Sequence, residues 1–590
     1  MLKGNSNISI QNLALALVLI IVPLIFSFSL NDPWNMPRFV GLAGCLSLVG
    51  IWSIFKKHSD LRLGMPFLAL AGSWLAIMTL ASFNSPDASE ALYLVGMRFM
   101  LIGLMVWLSA HNLKEQIPIF LSIFGCIEVL IGIGQLIGIV EFDAQAEGVV
   151  GTVGNPNGFG SLMVLLLPIS ILNWNHKAKN IQILGKVSAG LILIGILIST
   201  SIAAYLALGI MIGLVVIWKF LGQKLRSSSR IAHWMATGLL FLLILAPIVW
   251  GLGKYDKDVP MGKEITSISE RSYLWGETVK MISDQPLTGT GIAGWKYSIL
   301  KQGFLPPSTD FGGRFYAEPH NDFLGMFAEG GLLAGIAYLG LCLFLFGLGV
   351  RQALTFPGKE SQWKATLLAA GIAAWCIISS FHFPIERIDH LVVIAALGGL
   401  ILVNQKPIGK QGITKGIFAA VAVGSLFLLY FGWMRMSNEQ HLKKLVEAKS
   451  RSNWPSVLKE SKMANSQFCH ADYYSSTPIA WYEGLAHYQL GNTKEALQSF
   501  QEAHLYNSFH PHVLNNLAGT FVAENELDSA LVYYEKARKT FPAFVDPYIN
   551  SAKIKTALGY KEEAIAILNS FPKSQKEGRK IILVALGELE

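Results

Sequence analysis

The sequence predicts an all-α fold in two parts, a polytopic helical membrane region followed by a domain of helical repeats. Of the 590 residues, 52% are hydrophobic and only 15% are charged, and the mean hydropathy is +0.45. The hydrophobic residues are gathered in long runs separated by polar loops, which is typical of helices that cross a bilayer. After Arg435 the sequence becomes polar and follows a period of 34 residues, which is typical of stacked helix pairs.

The membrane region, residues 1–435, contains about twelve to thirteen apolar runs that could cross the hydrocarbon core as helices. The predicted spans are residues 12–30, 39–55, 65–83, 94–110, 118–140, 157–174, 181–199, 202–221, 232–252, 322–350, 365–382, 389–403 and 416–434. A polar segment of 68 residues, from Gly253 to His320, separates the ninth and tenth of them. A polar insert of this length predicts a functional role, because long loops in compact proteins commonly carry the function.

Lysine and arginine residues predict the side of the membrane on which each loop lies, because they resist translocation. With the N-terminus in the cytoplasm, the inner segments carry eighteen Lys and Arg residues and the short outer loops carry two, Arg38 and Arg387. This orientation predicts a cytoplasmic (inner) membrane protein whose segment 253–320 and C-terminal domain, residues 436–590, are periplasmic. It depends on the two closely spaced spans around Thr200, since a single broken helix there would invert everything downstream.

The ends of the polar segment carry residues suited to phosphate binding and proton transfer. Arginine side chains bind phosphate oxygens in pairs and neutralise charge as a phosphate leaves, which predicts such a role for Arg271 and Arg314. His320 lies where the segment re-enters the membrane, and its imidazole suits a general base near neutral pH. A lone histidine at a helix start is ordinarily structural, but its company with Arg271 favours a catalytic His320.

Other residues are secondary candidates for substrate binding, and each has an alternative structural role. Arg98 lies inside the fourth span, so it either lines a polar cavity, snorkels to the interface or pairs with a buried acid such as Glu128. Asn157, in a glycine-rich loop, either meets a ligand or caps the next helix. Trp275 either stacks on a sugar or anchors the chain at the interface. Glu329 is an intramembrane acid that either contacts substrate or positions a partner.

Several function classes are not expected from this sequence. No run of basic residues interleaved with aromatic ones occurs, so nucleic acid is not an expected partner. The glycines in residues 289–294 follow no predicted strand, so they do not predict a nucleotide loop. Asp32 is the only acid of the first outer loop, residues 31–38, so paired acids for a metal ion are missing there. We expect neither a metal nor another cofactor.

The C-terminal domain places small and aromatic residues in four registers with a spacing of 34 residues. The registers are Gly484, Ala518 and Ala552; Ala496, Ala530 and Ala564; Phe500, Tyr534 and Leu568; and Ala503, Ala537 and Phe571. The pattern resembles tetratricopeptide repeats over about residues 478–579, and an unrelated helical bundle is the alternative. An α-solenoid of such repeats binds peptides or proteins on its concave face, which implies a possible protein partner.

Four blocks of the membrane region resemble the O-antigen ligase family of membrane glycosyltransferases, which includes O-antigen polymerases and protein O-oligosaccharyltransferases. The blocks are residues 154–157, residues 200–208, residues 271–275 with 284–291, and residues 320–324 with 329–331. The resemblance implies a GT-C-like domain that moves a glycan from an undecaprenyl-diphosphate carrier to an acceptor hydroxyl, without metal or nucleotide sugar. It implies a site that includes Arg271, His320 and Asn321. The implied acceptor is a protein Ser/Thr, the lipid A core or, in a polymerase, a growing chain.

One departure from this family concerns the residue after Ser201. Family members commonly carry an arginine there, but this chain continues with Ile202. A cation for the diphosphate is therefore missing, and Arg98 is the candidate to replace it.

Two alternative functions are not enzymatic. A polysaccharide transporter would have about a dozen spans, but the two halves of this membrane region have no similar layout, and an envelope-assembly scaffold would leave Arg271 and His320 unexplained.

Overall fold

A computed structural model describes residues 10–56, 61–111, 113–142, 148–225, 229–253, 267–301, 303, 315–406, 411–573 and 575–588 of the chain. In these ranges every regular element is a helix, and the β-type pairing is limited to two isolated bridges within residues 466–478. The predicted all-α class is confirmed.

Each predicted span corresponds to a helix. Among the described residues, nine helices are long and apolar enough to cross a membrane: Asn35–Phe55, Met65–Ala81, Ala88–Ala110, Gln116–Leu136, Lys179–Ile198, Ile202–Leu225, Ser229–Leu252, Asp322–Thr355 and Gln411–Ser450. Ile10–Leu24, Pro156–Ile171 and Ile388–Leu402 are shorter apolar helices, and Lys359–Ser379 has charged residues in its first turns. The chain is therefore a multi-pass membrane protein.

The two helices around Thr200 are separate crossings rather than one broken helix. Thr200 has a positive φ of 53°, and the turn around it packs against Gly160 near the start of the sixth predicted span. The next helix, Ile202–Leu225, runs to the opposite side of the bundle, where Trp218 lines a groove with residues near the far end of Asp322–Thr355. The chain reverses direction at Thr200, which agrees with the predicted order of loops.

The polar segment docks into a break in the helix Asp322–Thr355. Gly331 interrupts this helix with a φ of 71°, and the loop that follows Ser267–Asp284 lies against the break. Two backbone hydrogen bonds of 2.8 Å hold the loop there, from Thr290 N to Ala328 O and from Leu332 N to Pro286 O. A Cβ on residue 331 would lie 2.2 Å from the Leu287 carbonyl oxygen. Glycine is thus required at Gly331 by its backbone angle and by the available space.

The C-terminal part begins within Gln411–Ser450, a helix that continues through the predicted domain boundary at 435/436. The helices after it are Trp454–Ala464, Ile479–Gln489, Thr493–Tyr506, Pro511–Ala523, Leu527–Thr540, Asp546–Ala557, Lys561–Asn569 and Lys576–Gly587. The second helices of three successive pairs begin 34 residues apart, at 493, 527 and 561, and the residues of all four predicted registers are buried. A repeated helix pair is present, while its identity as a tetratricopeptide solenoid stays a prediction.

The C-terminal part packs on the face of the membrane region that carries the polar segment. The Asp32 amide donates to Glu439 Oε2 at 3.1 Å, and the Lys296 ammonium donates to the Tyr473 carbonyl at 3.2 Å. Phe541 joins an apolar cluster whose other members come mostly from the polar segment. The C-terminal helices therefore lie directly over the segment that was predicted to carry the chemistry.

Candidate functional site

A small cavity of about 60 Å³ lies on the face that carries the polar segment. It is lined by Asn155, Asn157, Gly158, Ser161, Arg271, His320, His382, Phe383, Pro384, Arg387 and His390. Three residues that were predicted from the sequence, Asn157, Arg271 and His320, are therefore brought together from distant parts of the chain. The cap of Pro156–Ile171 is Asn155, whose Oδ1 accepts from the Asn157 amide at 2.9 Å, so Asn157 is not the cap.

His320 lies at this cavity with a strained backbone. Its φ is +55°, in the left-handed region that residues other than glycine seldom adopt. The residues on both sides are fixed, because the Trp275 indole donates to the Pro319 carbonyl at 3.0 Å and Asn321 is the N-cap of Asp322–Thr355. These contacts hold the imidazole in its place at the cavity.

Asn321 and Trp275, two predicted substrate-binding residues, support His320 from outside the cavity. The Asn321 side chain is fully buried; it accepts from the Leu324 amide at 3.0 Å and donates to the Ser380 carbonyl at 2.9 Å. The Trp275 ring is buried as well. Neither residue lines the small cavity or the larger cleft beside it. Their contacts indicate that they position the reactive segment.

Two arginines line the small cavity. Arg271 comes from the polar segment, and burial lowers the pKa of its guanidinium from the ordinary value, although an arginine stays protonated at neutral pH. Arg387 comes from the segment between the helices Lys359–Ser379 and Ile388–Leu402, and its Nη1 donates to the Val153 carbonyl at 2.9 Å. Arg387 thus lies at the same cavity as Arg271, and the sequence analysis did not select it as a site residue.

Arg98 does not lie at the small cavity or at the cleft. It is fully buried, with its Nη2 3.3 Å from Glu386 Oε1 and its Nη1 donating to the Leu94 carbonyl at 3.0 Å. Of the predicted alternatives, the buried ion pair is the one observed, but the partner is Glu386 instead of Glu128. Glu128 is engaged elsewhere, since it accepts from the Thr152 amide at 3.0 Å.

Glu329 holds the polar segment against the membrane region. Its Oε1 accepts from the Trp295 amide at 3.2 Å, at the first residue of the helix Trp295–Lys301. Glu329 lines neither the small cavity nor the cleft, so of its two predicted roles its position favours the positioning one. Arg314 lies outside the described residues, and its role in phosphate binding stays a prediction.

A chain of buried hydrogen bonds forms one wall of the small cavity, and the sequence did not reveal it. The Ser161 hydroxyl lies 2.8 Å from His390 Nε2, and His390 Nδ1 lies 2.7 Å from Asp389 Oδ1. The other Asp389 oxygen accepts from Arg38 Nη1 at 2.6 Å. All four side chains are buried. The network therefore fixes the wall of the cavity.

His382 is another imidazole of the small cavity, and it favours the neutral form. Burial lowers its pKa well below the ordinary value, and the positive charge of Arg271 lowers it further. The ring centroids of His382 and His320 are 6.3 Å apart. His382 can therefore take part in hydrogen bonds but adds no positive charge at neutral pH.

A larger cleft of about 490 Å³ adjoins the small cavity, and Asn155, His320, Phe383 and Arg387 line both. The rest of its wall is aromatic and polar: Phe28, Asn31, Trp34, Asn35, Phe315, Tyr316, Glu318, Glu386, Lys443, Glu447, Tyr473 and Tyr474, together with a few small or apolar residues. Burial and the adjacent Glu386 carboxylate raise the pKa of Glu318 well above its ordinary value. His320 thus lies at the boundary between the two spaces.

This arrangement combines two guanidinium groups, an imidazole at a boundary and a polar cleft, which suits diphosphate binding together with proton transfer. In the part of the chain that the structure describes, there is no group of three or more His, Cys, Asp and Glu side chains that could hold a metal ion.

Residues 187–339 match the family model described as O-Antigen ligase. The matched stretch contains Arg271, Trp275, His320 and Glu329 but ends before Arg387. No curated protein matches the sequence. The similarity indicates a glycosyltransferase-type function like that of O-antigen ligases and polymerases.

Proposed function

We propose that this protein is an O-antigen ligase-like glycosyltransferase. It moves a glycan from an undecaprenyl-diphosphate carrier to an acceptor hydroxyl at the outer side of the cytoplasmic membrane, with its C-terminal domain in the periplasm. One observation carries the proposal: Arg271, Arg387 and His320 line one cavity, and two of the three lie within the matched residues 187–339.

The two arginines suit the diphosphate of the donor. Guanidinium groups bind phosphate oxygens through paired, charge-assisted hydrogen bonds. As the bond between the sugar C1 and the phosphate oxygen breaks, negative charge grows on that oxygen, and Arg271 and Arg387 stabilise it. Because this stabilisation increases along the reaction, it lowers the barrier and does more than tighten donor binding.

The His320 imidazole suits the removal of the proton from the acceptor hydroxyl. The acceptor oxygen bonds to C1 while its proton passes to the imidazole, and the diphosphate leaves with the electron pair of the broken bond. The products are the glycosylated acceptor, undecaprenyl diphosphate and a protonated His320, which returns its proton to water. A general base contributes a factor of about 10² to 10⁴ in rate. The hydrogen bonds of Trp275 and Asn321 support this step, because they keep the imidazole oriented.

A polymerase of O-antigen or exopolysaccharide is the second candidate, since it uses the same donor chemistry and differs in the acceptor. The polar and aromatic lining of the cleft beside His320 supports this second candidate, because it suits the sugar residues of a growing glycan. A protein acceptor or partner held by the helical repeats is a further part of the proposal, since stacked helix pairs present a concave surface for peptides.

The test is a reaction of the purified full-length protein with labelled undecaprenyl-diphosphate glycan. Lipid A core, a Ser/Thr peptide and a growing glycan chain are offered in turn as acceptors. We expect label on one acceptor class, with one undecaprenyl diphosphate released per transfer. A protein that binds the labelled donor but transfers its glycan to none of the three would contradict the proposed function and favour a transporter or scaffold.

A further inference from the structure

The larger cleft is built by both parts of the chain. The membrane region supplies Trp34 from its first outer loop and Glu318 from the end of the polar segment, and the C-terminal part supplies Lys443, Tyr473 and Tyr474. The C-terminal part therefore forms part of the wall of the larger cleft, which His320 also lines.

The segment that carries the two tyrosines is fixed by polar contacts. Besides the bond from Lys296 to its carbonyl, Tyr473 donates its hydroxyl proton to Glu386 Oε2 at 3.2 Å. The Tyr474 amide donates to Asp472 Oδ1 at 2.8 Å. The Tyr474 side chain nevertheless remains 47% exposed. The Tyr474 ring packs edge-on against the Tyr473 ring, with the ring centroids 5.1 Å apart. An aromatic ring that is supported on one side yet open to a cleft loses little conformational entropy when it contacts a ligand.

The lining of the cleft has the chemistry of a sugar-binding surface. A sugar ring has an apolar C–H face, which packs on an aromatic ring, and hydroxyl groups at its rim, which bond to amides and carboxylates. Phe28 and Tyr474 offer rings that are at least partly exposed, and Asn31, Asn35 and Glu447 offer the polar groups.

The position of the cleft relative to His320 indicates that the cleft holds the acceptor and not the donor. In a direct displacement, the attacking hydroxyl approaches C1 from the side opposite to the departing diphosphate. If Arg271 and Arg387 hold the diphosphate at the small cavity, the base at the boundary faces an acceptor that comes from the cleft. We therefore propose that the cleft is a saccharide acceptor subsite and that Tyr474 of the C-terminal part is one of its binding residues. This inference rests on the proposed function.

Tyr474→Ala in the full-length protein tests the inference. The acceptor probes are a lipid A core oligosaccharide acceptor, a lipid-linked chain of the donor's own glycan, and a Ser/Thr peptide. Whichever of the two saccharide acceptors the protein uses, we expect its KM to increase roughly 2- to 12-fold, as the loss of one aromatic contact implies. The KM for the labelled donor should not change. Tyr474→Phe keeps the ring and should behave nearly as the unmodified protein.

Tyr560→Ala is the matched control, because Tyr560 is 53% exposed on the C-terminal part and does not line the cleft. An unchanged acceptor KM in Tyr474→Ala, a rise in the donor KM alone, or use of the peptide as the only acceptor would each overturn the subsite. Arg271→Ala, measured in parallel, separates a failure of the subsite from a failure of the proposed function. If it abolishes transfer while Tyr474→Ala has no effect, the subsite falls and the proposed function stands. If Arg271→Ala transfers normally, both fall.

Discussion

Replacement of Arg387 tests whether this residue is the second cation for the diphosphate. Its Nη1 donates to the Val153 carbonyl at 2.9 Å, and because this hydrogen bond comes from a charged group, Arg387→Ala should cost the fold about 1.5–3 kcal/mol. A hydrogen bond to a charged group is worth about 1.5–3 kcal/mol. Loss of such a bond to the diphosphate should lower kcat/KM for the donor about 10- to 150-fold. Arg387→Lys should recover only part of the loss, because an ammonium lacks the planar pair of donors.

The assay is steady-state transfer from labelled undecaprenyl-diphosphate glycan over a range of donor concentrations, with the melting temperature of each variant measured alongside. Arg451→Ala is the matched control, since Arg451 is exposed just after Gln411–Ser450 and does not line the small cavity. The reasoning is refuted if Arg387→Ala keeps the donor kcat/KM of the unmodified protein while Arg271→Ala loses it. In that case Arg271 would act without a second arginine from this loop.

The remaining predictions concern proton transfer, topology and pH. His320→Ala should bind labelled donor almost normally in an equilibrium assay yet transfer about 10² to 10⁴ times more slowly; normal transfer by a folded variant would remove His320 as the base. A reporter that is active only outside the cytoplasm should work when fused after Ser452 and not after Gly358, and the reverse pattern would overturn the orientation. Because the pKa of Glu318 is raised in the folded protein, its protonated form stabilises the fold, and this contribution is lost as the pH rises above 4.5 and through the raised value. Glu318→Gln should therefore flatten the fall in melting temperature over that range, and an unchanged slope would show that Glu318 does not titrate there.

Much of the fold could be predicted because hydropathy is a local property. Each apolar run became a helix, and His320 and Arg271 meet at one cavity as their shared segment suggested. One further local rule identifies the cap at the start of the sixth span. Proline is favoured at the first helical position, so Pro156 identifies Asn155 as the cap and leaves Asn157 for the cavity.

The contacts that were missed join residues distant in sequence, which periodicity and spacing cannot reveal. The partner of Arg98 is Glu386, and nine helices of the described residues lie between the two in the chain. One signal for the second cation did exist. The two basic residues of the short outer loops run against the positive charge bias, and both have specific roles, since Arg38 binds Asp389 and Arg387 lines the small cavity. An outer cation that opposes the bias is therefore worth examining as a functional residue.

Two of the four sequence blocks, residues 271–275 with 284–291 and residues 320–324 with 329–331, form one physical connection to His320. The break at Gly331 admits the loop that begins at Pro286, and Glu329 then fixes the start of the helix Trp295–Lys301. The Trp295 indole donates to the Thr278 hydroxyl at 2.9 Å, which ties that helix to Ser267–Asp284. From Ser267–Asp284, Trp275 reaches the carbonyl just before His320. Gly331, Trp295 and Trp275 thus act in one series of contacts. Each contact fixes the next, and the last one fixes the segment that carries the His320 imidazole.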